Sequence, residues 1–136
     1  MAGCSNSQGS GGRLDTTGIA SVSADNLVLN GTLIPNGPGL YFQGTTQLGL
    51  GAGVAFGDGL RCVGGSVIRL GVVSAVGNAS TYPTGVTPPN NIPVSLKGLI
   101  TAGDARNYQL WYRDSAAFCT ASTFNLTNGV RVVWGN

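Results

Sequence analysis

The chain contains no histidine and no glutamate, and Lys97 is its only lysine. Without histidine, a serine or cysteine has no imidazole beside it to take its proton, and the commonest protein ligand of transition metals is missing. Five aspartates are the only side-chain carboxylates left for acid–base chemistry. We therefore expect that the protein is not an enzyme and that it has no catalytic residue, metal site or cofactor.

Charge of either sign is also scarce. Charged residues make up 9% of the chain, against about 25% in an average soluble domain. The net charge of +2 is spread over isolated arginines, so no basic patch predicts a nucleic-acid partner. No long apolar run predicts a membrane span. A weakly charged surface gives little repulsion between copies, which favours a protein that assembles with itself.

Glycine, by contrast, is abundant, with 23 residues. Few helix formers and many valines, threonines, serines and asparagines favour β structure with frequent turns. The clearest strand covers residues 107–114, where Tyr108, Leu110 and Tyr112 share one face. Trp111 falls on the opposite face, so we expect this strand to lie centrally in a sheet with both faces covered.

Turn clusters divide the rest of the chain into short apolar segments. Further strands are predicted at residues 14–24, 26–34, 40–46, 60–62, 66–73, 93–101 and 130–134. About seven or eight short strands without an internal repeat predict an all-β fold, an Ig-like or Greek-key antiparallel β-sandwich. In residues 66–73, Ile68, Leu70 and Val72 share one face. The expected core contains Leu27, Leu29, Ile68, Leu70, Leu96, Ile100, Leu110, Tyr112, Val130 and Val132.

We predict two parts along the chain, an extended N-terminal tail at residues 1–25 and a β-sandwich domain at residues 26–136. Residues 1–13 have the Gly/Ser-rich composition of a flexible linker. Residues 14–24 make one thin strand, which can add to the open edge of a neighbouring copy's sheet. The alternative is that they form the first strand of their own domain. The apolar side chains that would fix the register are Leu14, Ile19 and Val22.

Three motifs resemble a known β-domain. They are Gly-Asp-Gly-Leu-Arg-Cys at 57–62, Tyr-Gln-Leu-Trp-Tyr-Arg-Asp at 108–114 and Phe-Asn-Leu-Thr-Asn-Gly at 124–129. The pattern, over residues 26–136, is similar to that of a β-sandwich domain in secreted bacterial surface proteins, usually at the C-terminus of long extracellular chains. The resemblance implies an extracellular or cell-surface location and carries no assigned activity. As a short unit with its own tail, the chain resembles a self-assembling, pilus-like fibre subunit.

Three cysteines stand at positions 4, 62 and 119. Their spacing matches no zinc pattern, so a disulfide within the chain is favoured over a metal site. The resemblance pairs Cys62 with Cys119, a bond worth about 4 kcal/mol in the chain-entropy model. Such a bond implies an oxidising compartment. Cys4 would stay unpaired; Met-Ala-Gly-Cys also resembles the end of a bacterial lipoprotein signal, in which the cysteine is acylated.

Three sequons, at Asn30, Asn78 and Asn125, are candidate glycosylation sites, so glycans are candidate partners. Asn78 is preferred because it lies in the most polar loop. Asp58 and Asp104 are candidates for a calcium site with loop carbonyls, although no Asp-x-Asp spacing supports one and turn capping is the simpler interpretation.

Aromatic residues on one exposed face would favour sugar binding. Trp111 and Trp134 decide this, since the tyrosines are expected in the core. Arg113 is either a ligand contact or the partner of Asp114 in an ion pair that fixes a loop.

Together these features predict a structural subunit of an extracellular filament or surface assembly. It would polymerise head-to-tail by adding its N-terminal strand to the next copy, a heterologous contact that propagates. The alternative is a secreted β-sandwich module that binds carbohydrate or calcium at its loops.

Overall fold

The computed structural model describes residues 2–116 and 120–136, and nearly all of its regular structure is β. The strands are β1 (Arg13–Thr17), β2 (Val28–Thr32), β3 (Gly37–Gly44), β4 (Thr46–Gln47), β5 (Val54–Phe56), β6 (Gly59–Arg61), β7 (Val63–Gly64), β8 (Ile68–Ala75), β9 (Ala79–Tyr82), β10 (Ala105–Arg113), β11 (Phe124–Leu126) and β12 (Val130–Val133). A 3₁₀ turn occupies Leu48–Gly51, and a short helix, α1, occupies Val94–Lys97. Within the described residues, no helix is long and apolar enough to cross a membrane.

Two antiparallel sheets share one core. The smaller has the strand order β1–β2–β9 and the larger the order β11–β10–β3–β8. Strand β12 lies on the same edge as β11, because β12 pairs with the first half of β10 and β11 with the second half. Both sheets contribute to the core, for example Leu29 from β2 and Leu110 from β10. The predicted all-β sandwich is confirmed in this outline, while its Ig-like or Greek-key connectivity stays a prediction.

The central strand was predicted correctly. In β10, Tyr108, Leu110 and Tyr112 face the core and are at most 1% exposed. The Tyr108 hydroxyl accepts a hydrogen bond from Trp134 Nε1 and donates one to Gln43 Oε1, both at 3.0 Å. Burial raises the pKa of Tyr108 to about 12, because the charged phenolate would lose its hydration there. The inner face of this strand is therefore both apolar and fully hydrogen-bonded.

Strand β8 departs from its predicted face. Ile68 and Leu70 do point inward, but Val72 points outward and is 57% exposed. The register between β3 and β8 shifts between Tyr41 and Phe42, which marks a bulge. Since an extra residue in one strand reverses the alternation beyond it, Ala75 rather than Val72 faces the core.

The predicted strand at residues 93–101 is wrong. Residues Val94–Lys97 form α1, and Leu96, expected in the core, is 65% exposed. Two residues of helix turn a side chain by roughly 200°, so Leu96 points away from the direction of Val94. Val94 and Ile100 are both buried. The apolar residues anchor this segment without making it a strand.

The N-terminal segment belongs to the same domain in the isolated chain. Strand β1 pairs with β2 over five residues, and Leu14 is only 2% exposed. Asn6 is wholly buried, and its Nδ2 donates to the carbonyl of Leu33 and to the Tyr112 hydroxyl, both at 3.0 Å. The expected division into a tail at 1–25 and a domain at 26–136 is corrected accordingly. Of the proposed anchors, Val22 packs against the core, but Ile19 is 62% exposed.

Cys4 and Cys62 are free thiols, and no disulfide is present among the described residues. The predicted partner of Cys62, Cys119, lies outside the described residues. The contacts described above that join the two sheets therefore do not include the expected disulfide.

Candidate functional site

The outer face of the larger sheet carries a continuous apolar row. Trp111 of β10 lies opposite Leu40 of β3 on one side and opposite Leu126 of β11 on the other. Leu40 in turn lies opposite Val72 of β8. Since neighbouring strands are about 4.8 Å apart, the row spans roughly 14 Å across the sheet. We call these four residues the apolar row.

A hairpin made of β5 and β6 stands over one end of this row. The buried side chain of Gln109 holds β6 and the residue after it. Its Oε1 accepts the amide of Cys62 and its Nε2 donates to the carbonyl of Leu60, each at 2.9 Å. At the hairpin tip, the Asp58 amide donates to the carbonyl of Phe124. Gly57 has φ +60°, and a Cβ there would lie 2.3 Å from the Phe124 ring. Glycine is thus required for this close approach.

The hairpin and the row complete a series of three aromatic rings. The Trp111 and Phe124 ring centroids are 5.2 Å apart, and those of Phe124 and Phe56 are 5.1 Å apart. Trp111 and Phe124 are half-buried, while Phe56 is 40% exposed. The rings therefore show part of their surface to solvent while the sheet fixes their positions.

These rings line a groove of about 400 Å³. We call it the aromatic groove, and its lining residues are Leu40, Phe42, Phe56, Arg61, Val67, Arg69, Trp111, Phe124 and Leu126. Apolar walls with a few polar groups are typical of sites for small molecules and sugars.

Arginines supply the polar groups. The Arg61 guanidinium lies 5.7 Å from the Phe42 ring centroid and 5.8 Å from that of Phe56. Arg113 lies 4.8 Å over the Trp111 ring. Arg69 of β8 is opposite Phe42. Cations over ring faces are a favourable arrangement, and it leaves the outer N–H groups of a guanidinium able to bind a ligand.

None of these three arginines pairs with a carboxylate in the described part of the chain. The ion pairs found there are Arg13 with Asp15 and Arg106 with Asp104. The predicted pairing of Arg113 with Asp114 is wrong, because the Asp114 carboxylate is buried and accepts both the amide and the hydroxyl of Ser7. Arg113 is free to stack on Trp111 instead.

The two tryptophans do not form a common platform. Trp134 is 1% exposed and lies in the inner core, whereas Trp111 lies on the outer face. The rings that accompany Trp111 are Phe124 and Phe56. No alternation of apolar and polar residues around Phe56 predicts its position from the sequence. The pairing of β5 with β6 brings it to the groove.

The candidate calcium ligands are far apart. Asp58 Oδ1 accepts the amide of Thr120 at 2.7 Å, next to the end of β10. Asp104 adjoins the start of β10, where the amide of Thr101 lowers its pKa by binding the ionised form. Eight residues of strand separate the two ends, roughly 26 Å at 3.3 Å per residue. Within the described ranges, no three metal-ligating side chains come together.

The sequons differ in accessibility. Asn125 is wholly buried and its Nδ2 donates to the carbonyl of Ser5 at 3.0 Å, so a glycan does not fit there. Asn30 is half-buried beside Thr17. Asn78 is exposed, although its Nδ2 donates to the carbonyl of Ile34 at 2.8 Å. Glycosylation therefore stays a prediction for Asn78 above all.

A second cavity, of about 320 Å³, lies beside the N-terminal residues. Cys4, Cys62 and Arg131 line it together with small, apolar and amide-bearing residues such as Gly129, Leu60 and Gln47. Its described lining residues include no aromatic ring and no carboxylate. The aromatic groove is therefore the stronger candidate for ligand binding.

Comparisons with models of protein families, with characterised proteins and with solved structures give no match.

Proposed function

We propose that this protein is an extracellular module that binds a polysaccharide in the aromatic groove. The observation that carries the proposal is the partly exposed series of rings Trp111, Phe124 and Phe56 on the outer face of the sheet. A sugar ring has an apolar C–H face that packs on an aromatic ring, while its polar edges turn to water or to hydrogen-bond donors. Aromatic side chains suit this task because they offer a large apolar face at a small cost in conformational entropy.

The rigidity of the groove supports this function. Trp111 is held between the side chains of neighbouring strands, and Phe124 is held by β11 against β10. Sites built on strands keep their geometry better than sites on loops, so little ordering is needed when a ligand binds.

The open end of the row favours a polymer over a small molecule. Val72 is 57% exposed and Val67 is 40% exposed, and both lie on the side away from the hairpin. A chain of sugar units can thus extend from the rings along the row. A compact ligand would leave this apolar surface uncovered.

Head-to-tail assembly, the function expected from the sequence, is the less supported proposal. The tail would have to leave contacts that Asn6 and Leu14 make with their own domain. One edge of each sheet, β1 in the smaller and β8 in the larger, is also partly closed by side-chain amides. Asn128 Oδ1 accepts the backbone amide of Leu14, and Asn128 Nδ2 donates to the Leu14 carbonyl, each at 2.9 Å. On β8, Asn90 Nδ2 donates to the carbonyl of Val72 at 2.8 Å. Such caps occupy the groups that strand addition needs.

Affinity electrophoresis tests the proposal. The full chain is run in gels that contain a panel of soluble plant and bacterial polysaccharides, and retardation is converted to affinity. We expect Phe56→Ala to weaken binding at least about tenfold, since the loss of a stacked ring is worth ~1.4 kcal/mol or more. The matched control is Val86→Ala, which shortens a side chain that is 90% exposed and outside the groove.

Phe56→Ala is preferred to a change at Trp111 because Phe56 lies on the hairpin and supports the core less. Near-ultraviolet circular dichroism checks that the variant is folded. Binding that survives Phe56→Ala unchanged, or that Val86→Ala weakens equally, contradicts the assignment of the site. No retardation by any polysaccharide contradicts the function.

A further inference from the structure

We infer that the aromatic groove binds an acidic polysaccharide, a polymer whose sugar rings carry carboxylates, and that Arg61 and Arg69 bind those carboxylates. This inference rests on the function proposed above and adds the class of ligand. Its basis is the distribution of charge around the groove.

The charged side chains that line the groove or stack on its rings are all arginines. Arg61 and Arg69 line it, and Arg113 stacks on one of its rings. These are three of the chain's seven lysines and arginines. Cations that have no ion-pair partner in the described part of the chain, in a groove with apolar walls, attract an anionic ligand.

Every aspartate is engaged elsewhere. Asp15 and Asp104 pair with arginines outside the groove, and Asp25 accepts the hydroxyl of Ser95. Asp58 and Asp114 are buried, and they accept hydrogen bonds from Thr120 and Ser7. Asp58 Oδ2 has no hydrogen-bond partner in the described part of the chain, but no carboxylate there forms an ion pair with a groove arginine. An external carboxylate can take that place.

The cations lie on both sides of the apolar row. Arg61 and Arg69 lie beside Phe42, which is opposite Gln109. Arg113 is four residues farther along β10, roughly 13 Å away at 3.3 Å per residue. The apolar row crosses the sheet between these two points, at Trp111. A polymer that lies along the row therefore has guanidinium groups on both sides of its path, where carboxylates on its rings can meet them.

The chemistry of arginine favours carboxylates as the recognised group. A guanidinium presents paired N–H groups that match the two oxygens of a carboxylate, and charge-assisted bonds of this kind are about twice as strong as neutral ones. In the described part of the chain, Arg61 donates through Nε to the carbonyl of Val63 at 3.0 Å, which fixes the plane of the group and leaves its terminal nitrogens for a ligand. A neutral polysaccharide would leave these donors unused.

A matched pair of polymers tests the inference. Polygalacturonate carries a carboxylate on each ring, and its methyl ester keeps the same backbone with the charge removed. In affinity electrophoresis with the full chain, we expect polygalacturonate to bind at least about tenfold more tightly than the ester, and less tightly as salt is raised.

A matched pair of variants locates the effect. Arg69→Gln and Arg131→Gln remove the same charge from exposed positions of the larger sheet, but only Arg69 lines the aromatic groove. We expect Arg69→Gln to weaken polygalacturonate binding about tenfold and to leave binding of the ester unchanged. Arg131→Gln should leave both unchanged.

Four outcomes overturn the inference. Equal binding of the polymer and its ester rejects acidic specificity but leaves polysaccharide binding intact. Equal losses in Arg69→Gln and Arg131→Gln indicate attraction to net charge rather than a site. Single-stranded DNA that binds as tightly as polygalacturonate, and is equally sensitive to Arg69→Gln, identifies a nucleic acid instead. No binding of either polymer, together with no retardation in the wider panel, rejects the proposed function itself.

Discussion

The N-terminal segment provides the sharpest test of the fold. Asn6 lies in a stretch that has the composition of a linker, yet it is 0% exposed. Asn6→Ala removes Nδ2, which donates at 3.0 Å to both the carbonyl of Leu33 and the hydroxyl of Tyr112. Leaving buried polar groups unpaired costs about 1–3 kcal/mol for each. We expect the free energy of unfolding to fall by roughly 2–4 kcal/mol.

Urea denaturation measures this change. The midpoint should fall while the dependence on urea stays the same, because the surface exposed on unfolding is nearly unaltered. The control is Gln8→Ala, since Gln8 is exposed and its side chain makes no hydrogen bond in the described part of the chain. A change below ~0.5 kcal/mol in Asn6→Ala, the size usual for surface substitutions, would refute the docking of the segment.

The same variant separates docking from strand exchange. If the segment docks on its own domain, Asn6→Ala lowers stability at every protein concentration, and the protein stays monomeric in size-exclusion chromatography. If copies exchange their segments, the wild type forms larger species and Asn6→Ala dissolves them. The second result would restore head-to-tail assembly as the leading function.

Three further predictions concern the core, the hairpin and pH. Leu110→Ala should lower the free energy of unfolding by about 2–5 kcal/mol, whereas Leu96→Ala should change it by less than ~0.5 kcal/mol, both measured with urea. Gly57→Ala should lower the melting temperature, since its Cβ meets the Phe124 ring and its φ of +60° disfavours alanine. The contribution of Tyr108 to stability should be constant below pH 10 and be lost as pH rises from 10 to about 12, because the tyrosine of the unfolded chain ionises first while the folded Tyr108 keeps its proton. Urea midpoints across this range check the last, and a midpoint that rises would contradict it.

Local patterns in the sequence were enough to predict the central strand. The alternation of Tyr108, Leu110 and Tyr112 predicts which face of the strand packs on the core, and the burial of these three residues confirms it. The face of β8 was predicted wrongly beyond Leu70. A bulge depends on how a strand pairs with its partner, and nothing within residues 66–73 records that pairing.

The helix at Val94–Lys97 shows a second limit. Buried residues at Val94 and Ile100 are compatible with either a strand or a turn of helix, and a segment this short has too few positions to separate the two periods. The N-terminal segment was missed for another reason. Its order comes from single polar contacts, such as that of Asn6 with Tyr112, which composition does not predict.

The groove could be predicted only in part. Trp111 was recognised as lying opposite the face of Tyr108, Leu110 and Tyr112, whereas Trp134, the other tryptophan whose exposure was to decide on sugar binding, is buried. The true companions, Phe124 and Phe56, come from strands far apart in the sequence, and their positions depend on strand register and on the hairpin. Arg113 was a candidate ligand contact in the sequence, but Arg61 and Arg69 gave no signal because isolated basic residues are common on surfaces. Only their common location beside the rings makes them a candidate site.

The indole N–H groups of the two tryptophans report directly on whether the aromatic groove binds an acidic sugar. The protein has two tryptophans, so an amide NMR spectrum contains two indole N–H signals, and Trp111→Phe identifies the one from the groove. Trp134 serves as an internal control because its indole is buried and bonded to Tyr108. On titration with a galacturonate oligomer, we expect the Trp111 signal to shift and saturate while the Trp134 signal stays in place. A Trp111 signal that does not move when the oligomer binds, or a shift confined to Trp134, would contradict it.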